Sequence, residues 1–335
     1  MTHTDIDRLR RAVERCPLPD DHNVLGVGHG HKRVDGSPTD QLSVTVLVSE
    51  KHAPCDLDDD RLVDPSIEVD GVSIPTDVQA IGRPHTLPVD PDNEVPTIMP
   101  APDRLGRHRP VPGGVSGGHP SITAGTIGSP LLYHEPSSEF VVLTNAHIAA
   151  PLGDGEAGDD FLQPGPHDGG TAADVIGTVL DVAAISHDEP NRTDSALVAV
   201  SPESVALETI LELPDVDGIL SDPPLDATYI KSGRTSGVTT ASLRTRDTTV
   251  DVAGYFEEPD IGPATFQGID VLGPMSKGGD SGSIIGVERD DGFYATHLLF
   301  GGSSSSTLAV PFDTLVDVHG PLDIVRPNHL PDDFD

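Results

Sequence analysis

The sequence contains no tryptophan, and only 4% of its residues are aromatic, so large aromatic side chains cannot form most of its core. Its two cysteines, Cys16 and Cys55, are too few for a disulfide framework and are typical of a reducing compartment. A single disulfide bond between these two cysteines is the alternative. No run of about eighteen apolar residues occurs, so we expect no membrane span.

Basic residues are also scarce. The 20 Lys and Arg stand against 55 Asp and Glu, which gives a formal net charge of −35. A field of this sign repels phosphate backbones and anionic lipid, so we expect neither nucleic acid nor a membrane as a partner. Lysine is rare and Asp is commoner than Glu, as on the hydrated acidic surfaces of halophilic proteins. A disordered acidic chain is the alternative, but the regularly spaced apolar segments argue against it.

The start of the chain predicts a helix and no export signal. Met1 to Cys16 is charged throughout and lacks the apolar segment of a secretion signal, so we expect a cytoplasmic protein. Ile6, Leu9 and Val13, together with Cys16, share one helical face and predict a short amphipathic helix.

A small α/β region is predicted to follow this helix. Residues 23–30 and 41–49 have the pattern of strands joined by a turn at Asp35-Gly36, and another short strand is expected near residues 69–74. The Pro-rich passage 83–112 has the composition of a linker.

The rest of the chain has the pattern of a mainly β domain. After about residue 115, short apolar runs alternate with Gly, Pro and Asp turns, and about eleven strands are enough for two small barrels. We therefore predict an α/β N-terminal extension with its linker over residues 1–100 and a two-barrel domain over residues 101–335. That domain ends with a helix at 310–318 and a frayed tail at 332–335. The predicted strands are 126–133, 140–145, 175–185, 196–200, 228–232, 239–245, 248–252, 265–271, 283–287, 294–300 and 307–310.

The sharpest motif is Gly278-Gly279-Asp280-Ser281-Gly282. Its glycines allow a tight turn that projects the Ser281 hydroxyl while the N–H groups of Gly279 and Ser281 converge on one point. Such a pair of donors is an oxyanion hole, which stabilises a tetrahedral intermediate. An ordinary Gly/Ser turn is the alternative for so short a motif.

His147 and Asp194 can complete a hydrolytic triad with Ser281. His147 follows the predicted strand 140–145, where its imidazole can accept a proton from a serine hydroxyl. Asp194 precedes the apolar run 196–200, where a buried carboxylate can bind the other ring nitrogen and hold its tautomer. A structural histidine and a turn aspartate are the alternatives for each residue alone. The separations of 47 and 87 residues leave room for one barrel on each side.

Together, Ala146-His147, the run from Asp194 and the Gly-Asp-Ser-Gly motif at Ser281 resemble the sites of trypsin-like serine peptidases. The resemblance implies a double β-barrel with the site between the barrels and with Gly279 and Ser281 as oxyanion donors. It implies a serine endopeptidase that acts on protein or peptide substrates through an acyl-enzyme, with no cofactor. The alternative is a catalytically silent peptide-binding or scaffold protein of the same fold.

Further segments resemble those of intracellular trypsin-like proteins with an α/β N-terminal extension, of which the plant narrow-leaf regulators are examples. These segments are residues 23–28, 75–78, 114–120, 124–128, 163–165 and 231–237.

A peptidase inside a cell must be kept from cleaving other proteins, and assembly can restrict access to its site. We therefore expect a homo-oligomer.

The same resemblance places four residues near the pocket for the side chain that precedes the scissile bond. They are Met275, Leu299, Phe300 and Gly301. Because no aspartate stands at position 275, we expect a small or apolar side chain in this pocket instead of Lys or Arg.

Asp280 corresponds to the residue that binds a newly cut N-terminus in secreted relatives. Here we expect the positive charge of Lys277 or Arg234 to balance the Asp280 carboxylate.

His29 and His31 lie on one face of a predicted strand, but a third metal ligand is missing. We therefore expect a solvent-facing pair and no metal.

Overall fold

The structure is a computed structural model in which residues 3–87, 103–151, 155–256 and 262–326 are described. Helices α1 (His3–Glu14), α2 (Ala146–Ala149) and α3 (Phe312–His319) are accompanied by short 3₁₀ turns at Pro54–Asp56, Asp59–Arg61, Pro166–Asp168, Ala172–Asp174 and Pro202–Ser204. The strands are β1 (Val24–Val34), β2 (Ser37–Val48), β3 (Ser66–Val69), β4 (Val72–Ala80), β5 (His85–Thr86), β6 (Val111–Gly113), β7 (Val115–Gly117), β8 (Gly125–Ile127), β9 (Leu132–His134), β10 (Glu139–Thr144), β11 (Asp160–Leu162), β12 (Val175–Val182), β13 (Ala196–Val200), β14 (Val205–Ile210), β15 (Val216–Ile219), β16 (Thr228–Gly233), β17 (Gly237–Val252), β18 (Ala264–Leu272), β19 (Ile284–Arg289), β20 (Gly292–Gly302), β21 (Thr307–Pro311) and β22 (Leu322–Ile324).

The predicted mainly β fold, with a small α/β region in front of it, is confirmed. In the second half of the chain, strands pair in the order β16-β19-β20-β21-β18-β17, and β17 pairs back with β16. This closes a six-stranded barrel, which leaves none of its six strands as an open edge. Phe266 and Phe300 lie in its buried apolar core.

The first barrel is formed by the strands from β6 to β14 and by the last strand, β22. A sheet in the order β11-β12-β13-β10-β9-β22, with the pairs β6–β14 and β7–β8, surrounds a second apolar core that includes Phe161 and Val198. The last strand, β22, reaches β9 directly after α3, so the chain ends its described part against the first barrel. The closing helix predicted at 310–318 is confirmed as α3.

The N-terminal region begins with α1, whose Leu9 is buried as the predicted amphipathic face requires. β1 and β2 form the predicted hairpin, and its turn residues Asp35 and Gly36 have positive φ angles. The single strand expected near residues 69–74 is wrong. There, β3 and β4 form a second hairpin, because the chain reverses within that stretch.

β17 connects the N-terminal strands to the second barrel, since its first part pairs with β16 and its later part with β1. The contact is close: a Cβ atom on Gly26 would lie 2.0 Å from Thr249 O. The sequence predicts two strands, 239–245 and 248–252, where the structure has one. A register shift between Thr245 and Thr248 and the positive φ of Asp247 explain the break in the pattern.

The Pro-rich passage 83–112 is more ordered than a linker at both of its ends. β5 pairs with β20, and β6 pairs with β14. Main-chain pairing of this kind leaves no trace in composition, so the sequence does not reveal it. Residues 88–102 and 332–335 lie outside the described residues, and the domain boundary near residue 100 stays a prediction.

Candidate active site

His147 is held at the point where the first barrel's central strand ends. β10 stops at Thr144, and the chain then turns through Asn145 into the one-turn helix α2. The buried Asn145 amide donates to the main-chain carbonyl of Asp194 at 2.7 Å. This bond ties the residues before His147 to those before β13, because β10 and β13 are neighbours in the sheet.

The Asp194 carboxylate is fully buried and accepts three hydrogen bonds. One oxygen accepts from the His147 main-chain N–H at 3.1 Å, and the other is hydrogen-bonded to His147 Nδ1. That second oxygen also accepts from the Tyr255 hydroxyl at 2.6 Å. Three donors compensate for burial of the charge and fix the orientation of the imidazole.

Tyr255 is a site residue that the sequence reasoning misses. Burial raises the pKa of Tyr255 well above its ordinary value, and the neighbouring Asp194 charge adds to the effect. The hydroxyl therefore stays protonated and remains a donor. Its ring stands edge-on to His147, with the centroids 6.0 Å apart. No local pattern marks a tyrosine that follows a β-strand as the partner of a distant aspartate.

Ser281 sits in a turn that is packed against the end of β10. The turn has positive φ at Gly279 (90°) and Gly282 (97°), conformations that favour glycine. The Thr126 N–H donates to Ser281 O at 2.8 Å, and a Cβ on Gly282 would lie 2.6 Å from Thr144 Oγ1. Thr144 is three residues before His147, so the turn and the histidine lie side by side across the two barrels.

Ser281 and His147 are close but not hydrogen-bonded. The Ser281 hydroxyl donates a long bond of 3.5 Å to Phe300 O. Among the described residues, His147 Nε2 is buried and has no hydrogen-bond partner. A hydrogen bond between Ser281 and His147 would require the hydroxyl to turn from Phe300 O toward His147 Nε2.

Of the two predicted oxyanion donors, one already has a hydrogen-bond acceptor among the described residues and the other does not. The Gly279 N–H donates to Leu87 O at 2.8 Å, whereas the Ser281 N–H has no hydrogen-bond acceptor within the described part of the chain. The Gly279 carbonyl, in turn, accepts from the Thr126 hydroxyl at 2.8 Å. Their oxyanion role stays a prediction.

Asp280 is balanced by Lys231, and both alternatives expected from the sequence are wrong. Lys231 Nζ lies 3.1 Å from Asp280 Oδ2. The carboxylate also accepts from the main-chain N–H groups of Thr235, Ser236 and Lys277. The Lys277 side chain itself is exposed. The glycine turn that carries Ser281, residues 279–282, is therefore anchored from inside the second barrel.

Arg234, the other expected partner, binds across the two barrels. Its guanidinium donates two bonds to Asp168, at 2.6 and 2.5 Å, and both side chains are 4% exposed. Ser116 also donates to Asp168, at 2.5 Å. Segments 114–120 and 231–237 thus meet in one buried polar cluster next to the turn that carries Ser281.

The four predicted pocket residues do not form one surface. Met275 and Leu299 belong to the same buried apolar cluster, which also contains Leu87. The Phe300 side chain belongs to the barrel core and packs on Phe266, with centroids 4.8 Å apart. Gly301 contributes its main chain, which pairs with Thr86.

The prediction that the histidine pair on β1 faces solvent is wrong. His29 is 3% exposed, because β17 covers this part of β1, and its Nε2 lies 3.1 Å from Asp247 Oδ2. His31 is hydrogen-bonded to Thr39 O at 2.7 Å. In the described ranges, no group of three ligating side chains could hold a metal ion. Cys16 and Cys55 are unpaired.

No helix in the described residues, 3–87, 103–151, 155–256 and 262–326, is long and apolar enough to cross a bilayer.

Comparison with known proteins gives structural likeness without sequence similarity. No protein-family model matches the chain, and no curated protein is similar to it. Among solved structures, the chymotrypsin of Cellulomonas bogoriensis is 18% identical, with a TM-score of 0.45, and covers 64% of this chain and 98% of its own. Protease A of Thermobifida fusca is 17% identical, with the same coverages and TM-score. The Nocardiopsis protease is 15% identical, with a TM-score of 0.46, and covers 64% of this chain and 99% of its own. These neighbours are serine proteases.

Proposed function

We propose that this protein is a serine endopeptidase with Ser281 as nucleophile, His147 as general base and Asp194 as the group that orients His147. One observation carries the proposal: a fully buried aspartate binds Nδ1 of a histidine whose Nε2 is left without a partner, beside a serine in a tight glycine turn. A purely structural histidine would normally have both ring nitrogens satisfied.

The proposed reaction has two steps. Ser281 Oγ attacks the carbonyl carbon of a peptide bond while its proton moves to His147 Nε2. The tetrahedral intermediate collapses when the C–N bond breaks and the leaving nitrogen takes the proton from His147. Water then attacks the Ser281 ester, with His147 again accepting and returning a proton, which releases the acid and the free serine.

The oxyanion of each intermediate would bind the N–H groups of Gly279 and Ser281. Each such donor is worth about 10²–10³ in rate because it is already oriented when charge develops. The bond from the Lys231 ammonium to Asp280 supports this arrangement without a cleaved N-terminus. The expected preference for an apolar side chain before the scissile bond is consistent with Met275 and Leu299 in one buried cluster.

A catalytically silent peptide-binding protein is the second candidate. It is favoured by the Ser281 hydroxyl, which is directed to Phe300 O, and by the Gly279 N–H, which already has an acceptor. Such a protein would hold an extended peptide by strand addition. Binding alone, however, requires neither the buried Asp194 nor its bond to His147.

Covalent labelling separates these candidates. We expect an organophosphonate probe to modify Ser281 in the folded protein, with the adduct located by mass spectrometry, and the Ser281→Ala variant to stay unmodified. Peptide hydrolysis should be lost in the same variant. A folded wild-type chain that is neither labelled nor active at low or high KCl concentration would leave the binding function as the better account.

We further propose a salt-rich, reducing cytoplasm as the compartment, with a homo-oligomer as the assembly. The net charge of −35 and the two unpaired cysteines support the compartment. Protein substrates follow from the proposed activity.

A further inference from the structure

A short segment of the chain itself, β5, pairs with the strand next to the proposed reaction centre. β5 lies antiparallel to the last part of β20, with Thr86 opposite Gly301 and His85 opposite Gly302. On its other side, the Thr86 N–H donates to Ala253 O at 3.0 Å. The segment is therefore bound by main-chain pairing, the manner in which an extended peptide adds to a sheet edge.

Leu87 directly follows β5 and lies beside the proposed reaction centre. Its carbonyl oxygen accepts from the Gly279 N–H at 2.8 Å, and Gly279 is one of the two predicted oxyanion donors. Its side chain is 5% exposed and belongs to the buried cluster of Met275 and Leu299, two of the predicted pocket residues. Main chain, side chain and carbonyl thus each take the place that a substrate residue before the scissile bond would take.

We propose that His85–Leu87 is a built-in substrate mimic, which fills the cleft and shows that the pocket takes a leucine-like side chain. The inference rests on the proposed function and deepens it in two ways. External substrates are extended peptides with leucine or a similar apolar residue before the cleaved bond. Those peptides must displace residues 85–87, because a tethered segment competes at a high effective concentration.

The His147 Nε2 is buried and has no partner in the part of the chain that the structure describes, so the Ser281 hydroxyl does not satisfy it. Displacing β5 would remove the Leu87 carbonyl from Gly279 and free the donor for an oxyanion.

A binding experiment tests the mimic without any need for catalysis. The probe is a fluorescein-labelled peptide with the sequence of residues 83–87, Arg-Pro-His-Thr-Leu, and a free carboxylate. Its affinity is measured by fluorescence anisotropy for the full chain carrying Ser281→Ala, alone or with Leu87→Gly. We expect about tenfold or tighter binding when Leu87 is removed, because its apolar burial no longer competes. The same peptide ending in Asp should bind neither chain.

Leu18→Gly is the matched control, since it makes the same chemical change at an exposed leucine. It should leave the affinity unchanged. If Leu87→Gly fails to fold by circular dichroism, Leu87→Ala is judged by the same criterion. Equal affinities with and without Leu87, or equal binding of the Asp peptide, would overturn the proposal.

Labelling of Ser281 distinguishes failure of the mimic from failure of the proposed activity. With Ser281 present, a leucine phosphonate should label the Leu87→Gly chain about tenfold faster than the wild type. Peptide binding without labelling in any chain would reject the peptidase and keep the mimic. Equal labelling rates with equal peptide affinities would reject the mimic and keep the peptidase.

Discussion

Lys231 Nζ lies 3.1 Å from Asp280 Oδ2, and both side chains are 0% exposed. Burial lowers the pKa of Lys231, while the charge of Asp280 opposes that shift and favours the ammonium form. Such a pair is costly to break, because the partner that remains is a buried charge without compensation. The turn that carries Ser281 therefore depends on a lysine 49 positions before Asp280 in the chain.

Replacement of Lys231 by methionine should lower the free energy of unfolding by about 3–5 kcal/mol, since Asp280 is left uncompensated. Urea unfolding measures this loss, and phosphonate labelling of Ser281 should slow as the turn loosens. Lys277→Met is the control. Its side chain is exposed and only its main chain contacts Asp280, so we expect a change within about 0.5 kcal/mol. Equal losses in the two variants would contradict the assigned partner.

Tyr255→Phe should lower kcat/KM about 10- to 100-fold, because Asp194 loses one of its donors while its charge stays buried. Tyr255 is a positioning residue that would not touch the substrate, so the loss should lie in kcat and leave KM unchanged. Tyr133→Phe, a change in the first barrel, should leave both quantities unchanged. A loss divided between kcat and KM would point to a packing defect instead.

Arg234→Lys should destabilise the protein by about 3 kcal/mol or more, because lysine cannot reproduce the two bonds to the buried Asp168. Thermal and urea unfolding at one fixed salt concentration measure the effect. The exposed pair of Arg192 and Asp317 offers a control, and Arg192→Lys should change stability by less than about 1 kcal/mol. A neutral Arg234→Lys would mean that this bridge does not hold the barrels together.

Asp247 should contribute to stability at neutral pH but not in strong acid. Burial by itself would raise the pKa of Asp247, but hydrogen bonds from His29 and Arg10 outweigh burial and lower it from 3.8 to about 2. A carboxylate with a lowered pKa in the folded state stabilises above the unfolded value and loses that contribution as the pH falls from about 4 to 2. The shift corresponds to about 2 kcal/mol.

Asp247→Asn tests this pH dependence. Its free energy of unfolding should be about 2 kcal/mol below that of the wild type at pH 6, and the difference should shrink to less than about 1 kcal/mol near pH 2, where Asp247 is half protonated. Asparagine tolerates the positive φ of Asp247. Asp35→Asn is matched in conformation but exposed, and it should show no such difference. A gap that persists unchanged at pH 2 would contradict the linkage.

Local patterns in the sequence predict much of the framework. Strand 196–200 is found with the predicted bounds. The turn is found at Asp35-Gly36, and both residues have the positive φ angles that such a turn requires. The strands β14, β15 and β22 are missed, because each mixes polar with apolar residues. Strand 126–133 is divided into β8 and β9, since the chain bends between them.

The sequence by itself determined which residues carry the proposed chemistry, because a serine turn, a histidine after a strand and an aspartate before one are local signals. Only the tertiary structure decided what surrounds them. Tyr255 on Asp194, Lys231 on Asp280 and Leu87 on Gly279 join residues 49 to 192 positions apart. Such contacts depend on how the barrels close and how β5 pairs, and no periodicity or composition encodes them.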